Sequence, residues 1–455
     1  MTQAGSVAII GCGVNNRPLV PYFLSRGRRV VVADRRPPGV LEAELAAWRG
    51  KDLTILGGAD YLDRLVEPRG LQTAYVTPGM IKHLPQLRQM AAQGVTLTCE
   101  TDLFLSQSPA AVLGVTGSAG KTTTTTLIGE ILRRSGIATV VGGNIGRSLL
   151  PELDRLSPSG WAVTELSSFQ LDLVRHSPRG AVWLNLSPNH LDIHGTYAAY
   201  AAAKRHILEF QDVVQDWVVM PADSQAVSDA AGGFGGRRYL FSLDHPVSAG
   251  AYVASGKIWW QPAEATPVAI MGVDDVRLPG RHNLHNVLAA TAASLLAGAE
   301  SGAVAAVART FAGVPHRLER VAEVEGVTFI NDSIATAPDR TSAALDATAG
   351  PIVLIAGGYD KHLDYAELGR KIAAAPVRAV VLVGQTAEKI ARALREAEAR
   401  CSVTLAGDFD QAVELAYRAA RPGDTVLLSP AAASYDMFTN FEERGRRFQE
   451  IVGRL

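Results

Sequence analysis

Short apolar runs that end in polar or glycine residues recur along the chain, and helical patterns separate most of them. The runs include SVAIIGCG, RRVVVADRR and YVTPGM near the N-terminus, ATVVGGN, WAVTELSS and AVWLNLS in the middle, and VTFINDS, PIVLIAGG, RAVVLVG and DTVLLSP towards the C-terminus. Continuous apolar runs are typical of buried parallel strands, and their alternation with helices is typical of α/β folds. We therefore predict three consecutive α/β domains, over residues 1–99, 100–312 and 313–455.

One of these strands leads into a glycine-rich loop. The sequence predicts a strand over Ala110–Val115 and a helix over Lys121–Arg134. Between them, Gly117 and Gly120 allow backbone N–H groups to turn towards an anion at the positive end of the helix dipole. The lysine that begins the helix supplies charge for the outer phosphates of a nucleotide, and the hydroxyl of Thr122 can ligate Mg²⁺. Although a valine replaces the first glycine of the G-x-x-x-x-G-K-[ST] pattern, the order of strand, loop and helix predicts a P-loop ATPase-type middle domain with a parallel sheet.

The first strand of the chain ends in a weaker nucleotide signature. Gly11 and Gly13 are followed by Asp34 about 20 residues later, as in a dinucleotide-binding fold, but Asn16 stands where the third glycine belongs. The pattern favours a Rossmann-like first domain with a nucleotide-shaped pocket, and it supports hydride chemistry much less. The last strands and helices predict a second Rossmann-like domain at the C-terminus.

Composition narrows the class of protein. The chain has 455 residues and a net charge of −1, so no overall basic field favours nucleic acid. Its three cysteines (Cys12, Cys99 and Cys401) lack the spacing of a metal site and suit a reducing cytoplasm. No segment approaches the roughly 20 apolar residues of a membrane span. We expect a cytoplasmic protein that is not inserted in a membrane.

A helix predicted from Thr196 onwards carries a lysine among its apolar positions. Lys204 falls inside the apolar stripe, which consists of Tyr197, Tyr200, Ala201, Ile207 and Leu208. Two interpretations are open at this point. Either the lysine extends to solvent along its aliphatic stem, or it faces a polar site beside the phosphates.

Acidic and histidine residues at the ends of two middle strands are candidate metal ligands. Glu165 follows the run WAVT, at the place where a P-loop protein keeps its second Mg²⁺-binding acid. His190 and Asp192 follow the next strand, where a side chain could reach a metal. A lone histidine such as His190 also fits an ordinary hydrogen-bonded role.

Nine stretches together carry a resemblance to a known family. They are GVTGSAGKTTT, GGNIG, ELSSFQL, NLSPNHLDIHGTYAAYAAAK, LPGRHNLHN, PHR, NDSIAT, GGYDKHLDY and LSPAAASYDMFTNFEERG. Over essentially its full length the chain resembles the Mur ligases, the ATP-dependent amide ligases of peptidoglycan precursor synthesis. ELSSFQL and the last three stretches most resemble the member that adds glutamate to UDP-N-acetylmuramoyl-L-alanine. The resemblance implies an acyl-phosphate intermediate, with ADP and phosphate as products.

The resemblance also assigns residues to ATP, two Mg²⁺ ions and the two substrates. The implied ATP contacts are Gly117, Ser118, Ala119, Gly120, Lys121, Thr122, Thr123, Asn283, Asn286, Arg317 and Asp332. The implied magnesium ligands are Thr122, Glu165, His190 and Lys204, the last as a carbamate, and catalysis is assigned to Lys121, Glu165, His190 and Lys204. The implied contacts to the UDP-sugar substrate are Asn15, Asp34, Arg35, Thr77, Pro78, Gly79, Asn144 and Ser167. The implied contacts to the incoming amino acid are Thr336, Lys361, Ser434 and Phe441. Because Arg317 and Asp332 belong to the third domain, that domain is expected to close over the second, in a protein that acts as a monomer.

Two departures from the family pattern bear on the amino acid. The usual NDSKATN stretch has Ile334 in place of its lysine and Ala337 in place of its last asparagine. A buried carboxylate without a partner is costly, so another donor must compensate if glutamate is bound, and Arg340 is the nearest candidate. D-glutamate is the predicted acceptor and L-glutamate the runner-up.

Other classes of protein explain less of the sequence. A folylpolyglutamate-type ligase shares the glycine-rich loop and the helix lysine, but NFEERG and the first G-x-G segment argue against it. A P-loop switch or transport ATPase would account for the loop alone. A nicotinamide oxidoreductase would account only for the first domain.

Overall fold

The computed structural model of the chain describes residues 5–66, 70–80, 84–144, 148–361 and 363–455, without the side chain of Asp192. Ile145 and Gly146 of the GGNIG stretch and His362 of GGYDKHLDY lie outside the described residues. The chain divides into two compact units, residues 1–312 and 313–455. In the part of the chain that the structure describes, no helix combines the length and the apolar character needed to cross a membrane.

The first sheet of the N-terminal unit is entirely parallel. Its strands are β1 (Ser6–Ile10), β2 (Val30–Asp34), β3 (Leu53–Gly57), β4 (Leu71–Val76) and β5 (Thr96–Thr98), in the order β3-β2-β1-β4-β5. The helices between them are α1 (Leu19–Leu24), α2 (Pro38–Glu44), α3 (Tyr61–Leu65) and α4 (Pro85–Ala92). Successive residues of β1 are buried in different apolar clusters, so both faces of the sheet are covered. The strand order reverses between β1 and β4, which is where ligands bind in open sheets of this kind.

The second sheet of the same unit contains the glycine-rich loop. Its strands are β6 (Ala111–Thr116), β7 (Thr139–Gly143), β8 (Trp161–Glu165), β9 (Gly180–Trp183), β10 (Trp217–Pro221), β11 (Arg237–Ser242), β12 (Gly250–Ala254), β13 (Lys257–Gln261) and β14 (Val268–Gly272). Their order is β14-β13-β12-β11-β10-β9-β6-β8-β7, parallel from β7 to β12 and antiparallel over β12, β13 and β14. β6 therefore lies between β8 and β9.

Helices cover both faces of this sheet. They are α5 (Glu100–Gln107), α6 (Lys121–Arg134), α7 (Ser168–Leu171), α8 (Leu191–His194), α9 (Tyr197–Glu209), α10 (Gln225–Ala230), α11 (Arg281–Leu296) and α12 (Ser301–Thr310). The apolar residues of α6, α11 and α12 share one buried cluster, and those of α9 belong to another. The site described below lies where β6, β8 and β9 end.

The C-terminal unit contains one six-stranded sheet among its described residues. Its strands are β15 (Glu319–Val324), β16 (Val327–Asn331), β17 (Ile352–Ala356), β18 (Val377–Leu382), β19 (Ser402–Leu405) and β20 (Thr425–Leu428), in the order β15-β16-β20-β17-β18-β19. Only the β15–β16 hairpin is antiparallel. The helices are α13 (Pro338–Ala347), α14 (Ala366–Ala374), α15 (Ala387–Glu396), α16 (Phe409–Ala419) and α17 (Phe441–Val452). β16, β20 and β17 are neighbours, so the loops that follow them meet at one edge.

The predicted elements around the glycine-rich loop are found. The helix Lys121–Arg134 has the predicted ends, and the strand before it is shifted by one residue. The helix predicted from Thr196 onwards is α9, and the hydroxyl of Thr196 caps it by accepting a hydrogen bond from the backbone N–H of Ala199 at 3.1 Å. The assignment of Tyr197 to the buried stripe is wrong, since this first residue of the helix is 37% exposed.

Candidate active site

The glycine-rich loop joins β6 to α6 and fits tightly against α11. Gly120 has φ of +82°, and a Cβ atom there would lie 2.3 Å from Oδ1 of Asn286. A residue with a side chain would therefore be both strained and obstructed at this position. Asn286 in turn donates from Nδ2 to Oδ1 of Asn283 at 3.3 Å. Both asparagines assigned to ATP thus lie in the first turns of α11, and Asn286 lies against the loop.

Residues after β9 hold the loop in shape. The Asn185 side chain accepts a hydrogen bond from the N–H of Ala119 at 2.9 Å and donates one to its carbonyl oxygen at 3.1 Å. The Ser118 hydroxyl donates to the carbonyl of Ser187 and accepts from its N–H, both at 3.0 Å. The hydroxyl of Tyr200 lies 2.9 Å from Ser118 Oγ. Contacts with the segment after β9 and with Tyr200 therefore fix the path of the loop.

Thr122 and Glu165, two of the proposed magnesium ligands, are in direct contact. The Thr122 hydroxyl donates to Glu165 Oε2 at 2.7 Å, and Asn144 Nδ2 donates to Glu165 Oε1 at 2.8 Å. Glu165 is 3% exposed. Hydroxyl and carboxylate oxygens are the donors that Mg²⁺ prefers, so these residues fit the ion. Asn144, assigned to the UDP-sugar substrate, lies at this centre rather than at the edge of the first sheet.

Lys204 reaches the same loop from α9. It is 1% exposed, and its Nζ donates to the hydroxyl of Thr116 at 3.1 Å and to the carbonyl of Gly117 at 2.9 Å. Burial, followed by the charge of Lys121, holds the pKa of Lys204 well below its ordinary value, against the opposing effect of Glu165. The interpretation in which Lys204 extends to solvent is wrong.

Lys121 shares an acceptor with Lys204. Its Nζ donates to the carbonyl of Gly117 at 2.9 Å and to that of Ser118 at 3.3 Å. Two amines therefore converge on the single carbonyl oxygen of Gly117. Thr123 follows in the first turn of α6 and is half-buried.

The candidate ligand His190 lies at the mouth of the site. It precedes α8 with φ of +53°, is exposed, and its ring centre lies 4.9 Å from that of Phe169. His194 stacks on the same ring, and its Nε2 lies 3.0 Å from Ser168 Oγ. Ser167 caps α7, and its hydroxyl donates to Gln170 Oε1 at 2.9 Å. Among the described residues no three histidine, cysteine or acidic side chains form a metal-binding cluster, so a magnesium site there needs other donors as well.

The carboxyl edge of the first sheet collects the residues assigned to the UDP end of the substrate. Gly11 lies against Thr77, whose Cγ2 would be 2.8 Å from an added Cβ atom. Asp34 accepts from the N–H of Cys12 at 2.7 Å and from Nη2 of Arg36 at 2.9 Å. Burial opposes ionisation of Asp34, but these hydrogen bonds outweigh it, and its pKa lies below the ordinary value. Arg35, in contrast, is exposed.

A cleft joins this edge to the second sheet. It has a volume of about 280 Å³, and its lining includes Gly79, Phe169, His194 and Ala203. Pro78 and Asn15, both half-buried, belong to the loops that follow β4 and β1. A substrate with its nucleotide at the first sheet could therefore extend towards the glycine-rich loop.

In the C-terminal unit, the remaining assigned residues gather where β16, β20 and β17 end. Asp332 accepts from the Ser429 hydroxyl at 2.8 Å, and burial raises its pKa to about 6. Arg317 is exposed, and its charge acts against that rise. Ser434 is 2% exposed and follows β20, whereas Lys361 is exposed and follows β17.

Phe441 and Thr336 complete this edge. The carbonyl of Phe441 accepts from the Ser333 hydroxyl at 2.8 Å, and the N–H of Thr336 donates to the carbonyl of Ile334 at 2.8 Å. The four residues assigned to the incoming amino acid therefore belong to three adjoining loops and the start of α17.

Comparison with known proteins identifies the family. The UDP-N-acetylmuramoylalanine–D-glutamate ligase of Symbiobacterium thermophilum is 44% identical to this chain over 451 residues, which cover 98% of each chain. The chain belongs to the Mur ligase family. The ligase of the same name from Acetivibrio thermocellus is 40% identical over 455 residues, or 99% of this chain and 96% of its own. Residues 115–294 match the Mur ligase middle domain, and residues 316–432 match the family model described as Mur ligase, glutamate ligase domain.

Solved structures agree on the fold of this Mur ligase. A murein peptide ligase from Psychrobacter arcticus has a TM-score of 0.53 at 20% identity over 99% of both chains. The UDP-N-acetylmuramate–alanine ligase of Thermotoga maritima has a TM-score of 0.51 at 16% identity, also over 99% of both chains. The prediction of three consecutive α/β domains, with a P-loop ATPase-type domain between two Rossmann-like ones, is confirmed.

Sequence reasoning missed several residues of this Mur ligase site. Asn185 and Ser187 were present in the NLSPN stretch, but nothing in their spacing indicated that they clasp the glycine-rich loop. Arg36, rather than Arg35, is the arginine that contacts Asp34. Only the strand order, which places β9 beside β6, could have indicated that these residues contact the loop.

Proposed function

We propose that this Mur ligase adds D-glutamate to UDP-N-acetylmuramoyl-L-alanine and converts ATP to ADP and phosphate. The observation that carries the proposal is the buried amine of Lys204 at the glycine-rich loop, close to the contact between Thr122 and Glu165. The names of the similar ligases support the two substrates. The corresponding L-glutamate-adding ligase is the second candidate, because Ile334 removes a cationic contact that the family pattern places by the glutamate pocket.

The reaction activates a carboxylate, because an amine cannot otherwise displace an oxygen from its carboxyl carbon. The alanyl carboxylate oxygen attacks the γ-phosphorus of ATP, and the bond to ADP breaks, which gives an acyl phosphate. The neutral amine of glutamate then attacks the acyl carbon, the bond to phosphate breaks, and the amine loses a proton. Phosphate is a good leaving group, whereas hydroxide is a poor one, so the work of the protein is mainly positioning and charge neutralisation.

The residues of the loop have separate tasks in this proposal. Backbone N–H groups from Gly117 to Thr123 bind phosphate oxygens, and the ammonium of Lys121 moves from the Gly117 carbonyl onto the outer phosphates. Asn283 and Asn286 bind the nucleotide from α11. Asn185 keeps the loop open in the shape that the phosphates require.

The donor set fits magnesium, which when bound neutralises the charge on the phosphate oxygens. Thr122, Glu165 and His190 would hold it, together with a carbamate on Lys204. The low pKa of Lys204 supports this last assignment, because only the neutral amine forms a C–N bond with CO₂, releasing a proton to solvent. The result replaces a cation with oxygen donors.

We propose that the two other substrates bind at the carboxyl edges of the first and third sheets. Asn15, Asp34, Arg35 and Thr77 to Gly79 are proposed to bind the UDP group, while Asn144 and Ser167 contact the end that reacts. Thr336, Lys361, Ser434 and Phe441 are proposed to bind glutamate, and Arg317 and Asp332 to contact ATP. We propose domain boundaries at residues 99/100 and 312/313, and a protein that acts as a monomer. We also propose a cytoplasmic location, which the three free cysteines support.

Phosphate release tests the proposed function. The purified protein is incubated with ATP, Mg²⁺, UDP-N-acetylmuramoyl-L-alanine and either D-glutamate, L-glutamate or an uncharged D-amino acid, and the amide product is identified by mass. We expect phosphate release and product with D-glutamate. Activity with L-glutamate alone would retain the ligase and overturn the stereochemistry. Activity only with a folate acceptor would reject the proposal.

A further inference from the structure

Three cations lie near the edge of the C-terminal sheet at which glutamate is proposed to bind. Arg340, Lys361 and Arg444 all lie near this edge, on or beside the loops that follow β16, β17 and β20. Lys361 has a pKa below its ordinary value, first because the surrounding protein partly desolvates its otherwise exposed side chain, and then because of the charges of Arg340 and Arg444. Among the described residues, no ion pair joins any of the three cations to a carboxylate.

Arg444 is the buried member of this group. It is 1% exposed and donates to neutral oxygens: the Ser333 hydroxyl at 3.0 Å, and the carbonyls of Ser333, Ala432 and Ala433 at 2.9 to 3.2 Å. An arginine keeps its charge in proteins, so these bonds join two loops around a buried cation that no carboxylate contacts among the described residues, although the charge of Asp436 acts on it. Such an arrangement favours an anion at the nearby surface.

Arg340 is exposed, as Lys361 is, and its position is specific. It lies in the first turn of α13, and its Nη1 reaches back to within 3.4 Å of the carbonyl of Ile334. Its charge also acts on Asp332 and on Lys361. The guanidinium therefore lies over the loop between Asp332 and α13, at a place where the side chain of residue 334 is apolar.

We infer that Arg340 binds one of the two carboxylates of the incoming amino acid and so selects an acidic acceptor. This inference rests on the proposed function. A planar guanidinium binds a carboxylate through two N–H groups, and Arg340 is free of a competing acidic partner among the described residues. Lys361 and the field of Arg444 favour the second carboxylate at the same edge.

Substitution of Arg340 tests the inference. Arg340→Gln retains a donor of similar reach but loses the charge, and we expect the KM for D-glutamate to rise about 10- to 100-fold, with the KM values for ATP and the UDP substrate unchanged. Arg340→Lys should lie between this variant and the wild type. Arg370→Gln, on the exposed face of α14 in the same unit, is the matched control and should behave as the wild type.

A double variant separates charge from structure. In Arg340→Gln/Ile334→Lys a cation returns from the neighbouring position, so the KM for D-glutamate should fall towards the wild-type value, whereas a purely structural defect would not recover. D-glutamine, tested beside D-glutamate, reports which carboxylate is bound. Selective loss of affinity for D-glutamate indicates the side-chain carboxylate, and an equal loss for both indicates the α-carboxylate.

The outcomes that overturn the inference are distinct from failure of the proposed function. If the wild type ligates glutamate and Arg340→Gln leaves the KM for D-glutamate unchanged, or raises the KM for ATP instead, Arg340 does not bind the incoming amino acid. If the wild type ligates neither enantiomer of glutamate, the proposed function itself is rejected.

Discussion

At the scale of single residues, the amine of Lys204 is the most unusual group in the site. A lysine that is 1% exposed and hydrogen-bonded to neutral oxygens has lost hydration, and no carboxylate among the described residues lies at bonding distance from it. Such a residue does not improve folding stability, so its presence indicates a chemical purpose. The low pKa follows from the same burial.

Removing this amine should abolish ligation without harming the fold. We expect Lys204→Ala and Lys204→Met to lose at least about 100-fold in the rate of phosphate release, because an oxygen ligand is lost beside the phosphates. Lys204→Met should unfold at the same temperature as the wild type or higher, since it buries no uncompensated polar group.

Short carboxylic acids distinguish the alanine variant from the methionine variant. Lys204→Ala leaves a cavity beside Thr116 that acetate or propionate can fill, so these acids should restore part of the activity. Lys204→Met fills the same space and should not respond. Activity of the alanine variant equal to the wild type at saturating Mg²⁺ would disprove the carbamate assignment.

At the scale of elements, the glycine-rich loop depends on the segment that follows β9. The Asn185 side chain accepts a hydrogen bond from the N–H of Ala119 and donates one to its carbonyl oxygen. A residue on a neighbouring strand would make the same pair of contacts, so Asn185 extends the pairing of β9 with β6 into the loop. These contacts hold the loop on one path, so we expect little ordering of the loop when a nucleotide binds.

Asn185→Ala should weaken both ATP binding and the fold. We expect the KM for ATP to rise about tenfold and the free energy of unfolding to fall by about 1–3 kcal/mol, because two hydrogen bonds are lost. The KM for the UDP substrate should not change. Ser159→Ala, in an exposed loop of the same domain, is the control. An unchanged KM for ATP in Asn185→Ala would show that the hydrogen bonds between Asn185 and Ala119 are not needed for ATP binding.

The sequence predicted the elements of this site better than their contacts. The helix Lys121–Arg134 and the helix that carries Lys204 could be predicted because apolar spacing and capping are local properties. The strands β13, β14 and β15 were not predicted, since they lie at or next to sheet edges where few positions are buried. Asn185 and Arg36 were missed because their partners depend on strand order and side-chain direction.

At the scale of the whole molecule, the assigned residues lie at the carboxyl edges of three sheets. The first edge has Asp34 and Thr77, the second has Lys121 and Glu165, and the third has Asp332 and Lys361. A parallel sheet directs its loops to one edge, and we propose that each of the three edges is the main binding surface for one of the three substrates. The family resemblance, rather than periodicity, assigned a ligand to each of these surfaces.

This separation predicts that the substrates can be uncoupled by substitution. Lys121→Ala should remove both ATP turnover and ligation, because phosphate charge is left without its cation. Asp34→Ala should raise the KM for the UDP substrate and leave the affinity for ATP nearly intact. Titration of each variant with a non-hydrolysable ATP analogue measures its affinity for the nucleotide. Loss of this affinity in Asp34→Ala would contradict the assignment of the UDP substrate to the first sheet and of ATP to the second.

The carbonyl oxygen that Lys121 and Lys204 share has a thermodynamic consequence. When a bound phosphate moves the Lys121 ammonium away, Lys204 loses a competitor for the Gly117 carbonyl and a repelling positive charge. The position of Lys121 therefore alters the free energy of Lys204, and the state of Lys204 alters that of Lys121. Linkage requires the effect to be reciprocal: if bicarbonate changes the dissociation constant of an ATP analogue, the analogue must change the bicarbonate requirement by the same factor. Calorimetric titration of the analogue at several bicarbonate concentrations measures this factor, which should become one in Lys204→Met.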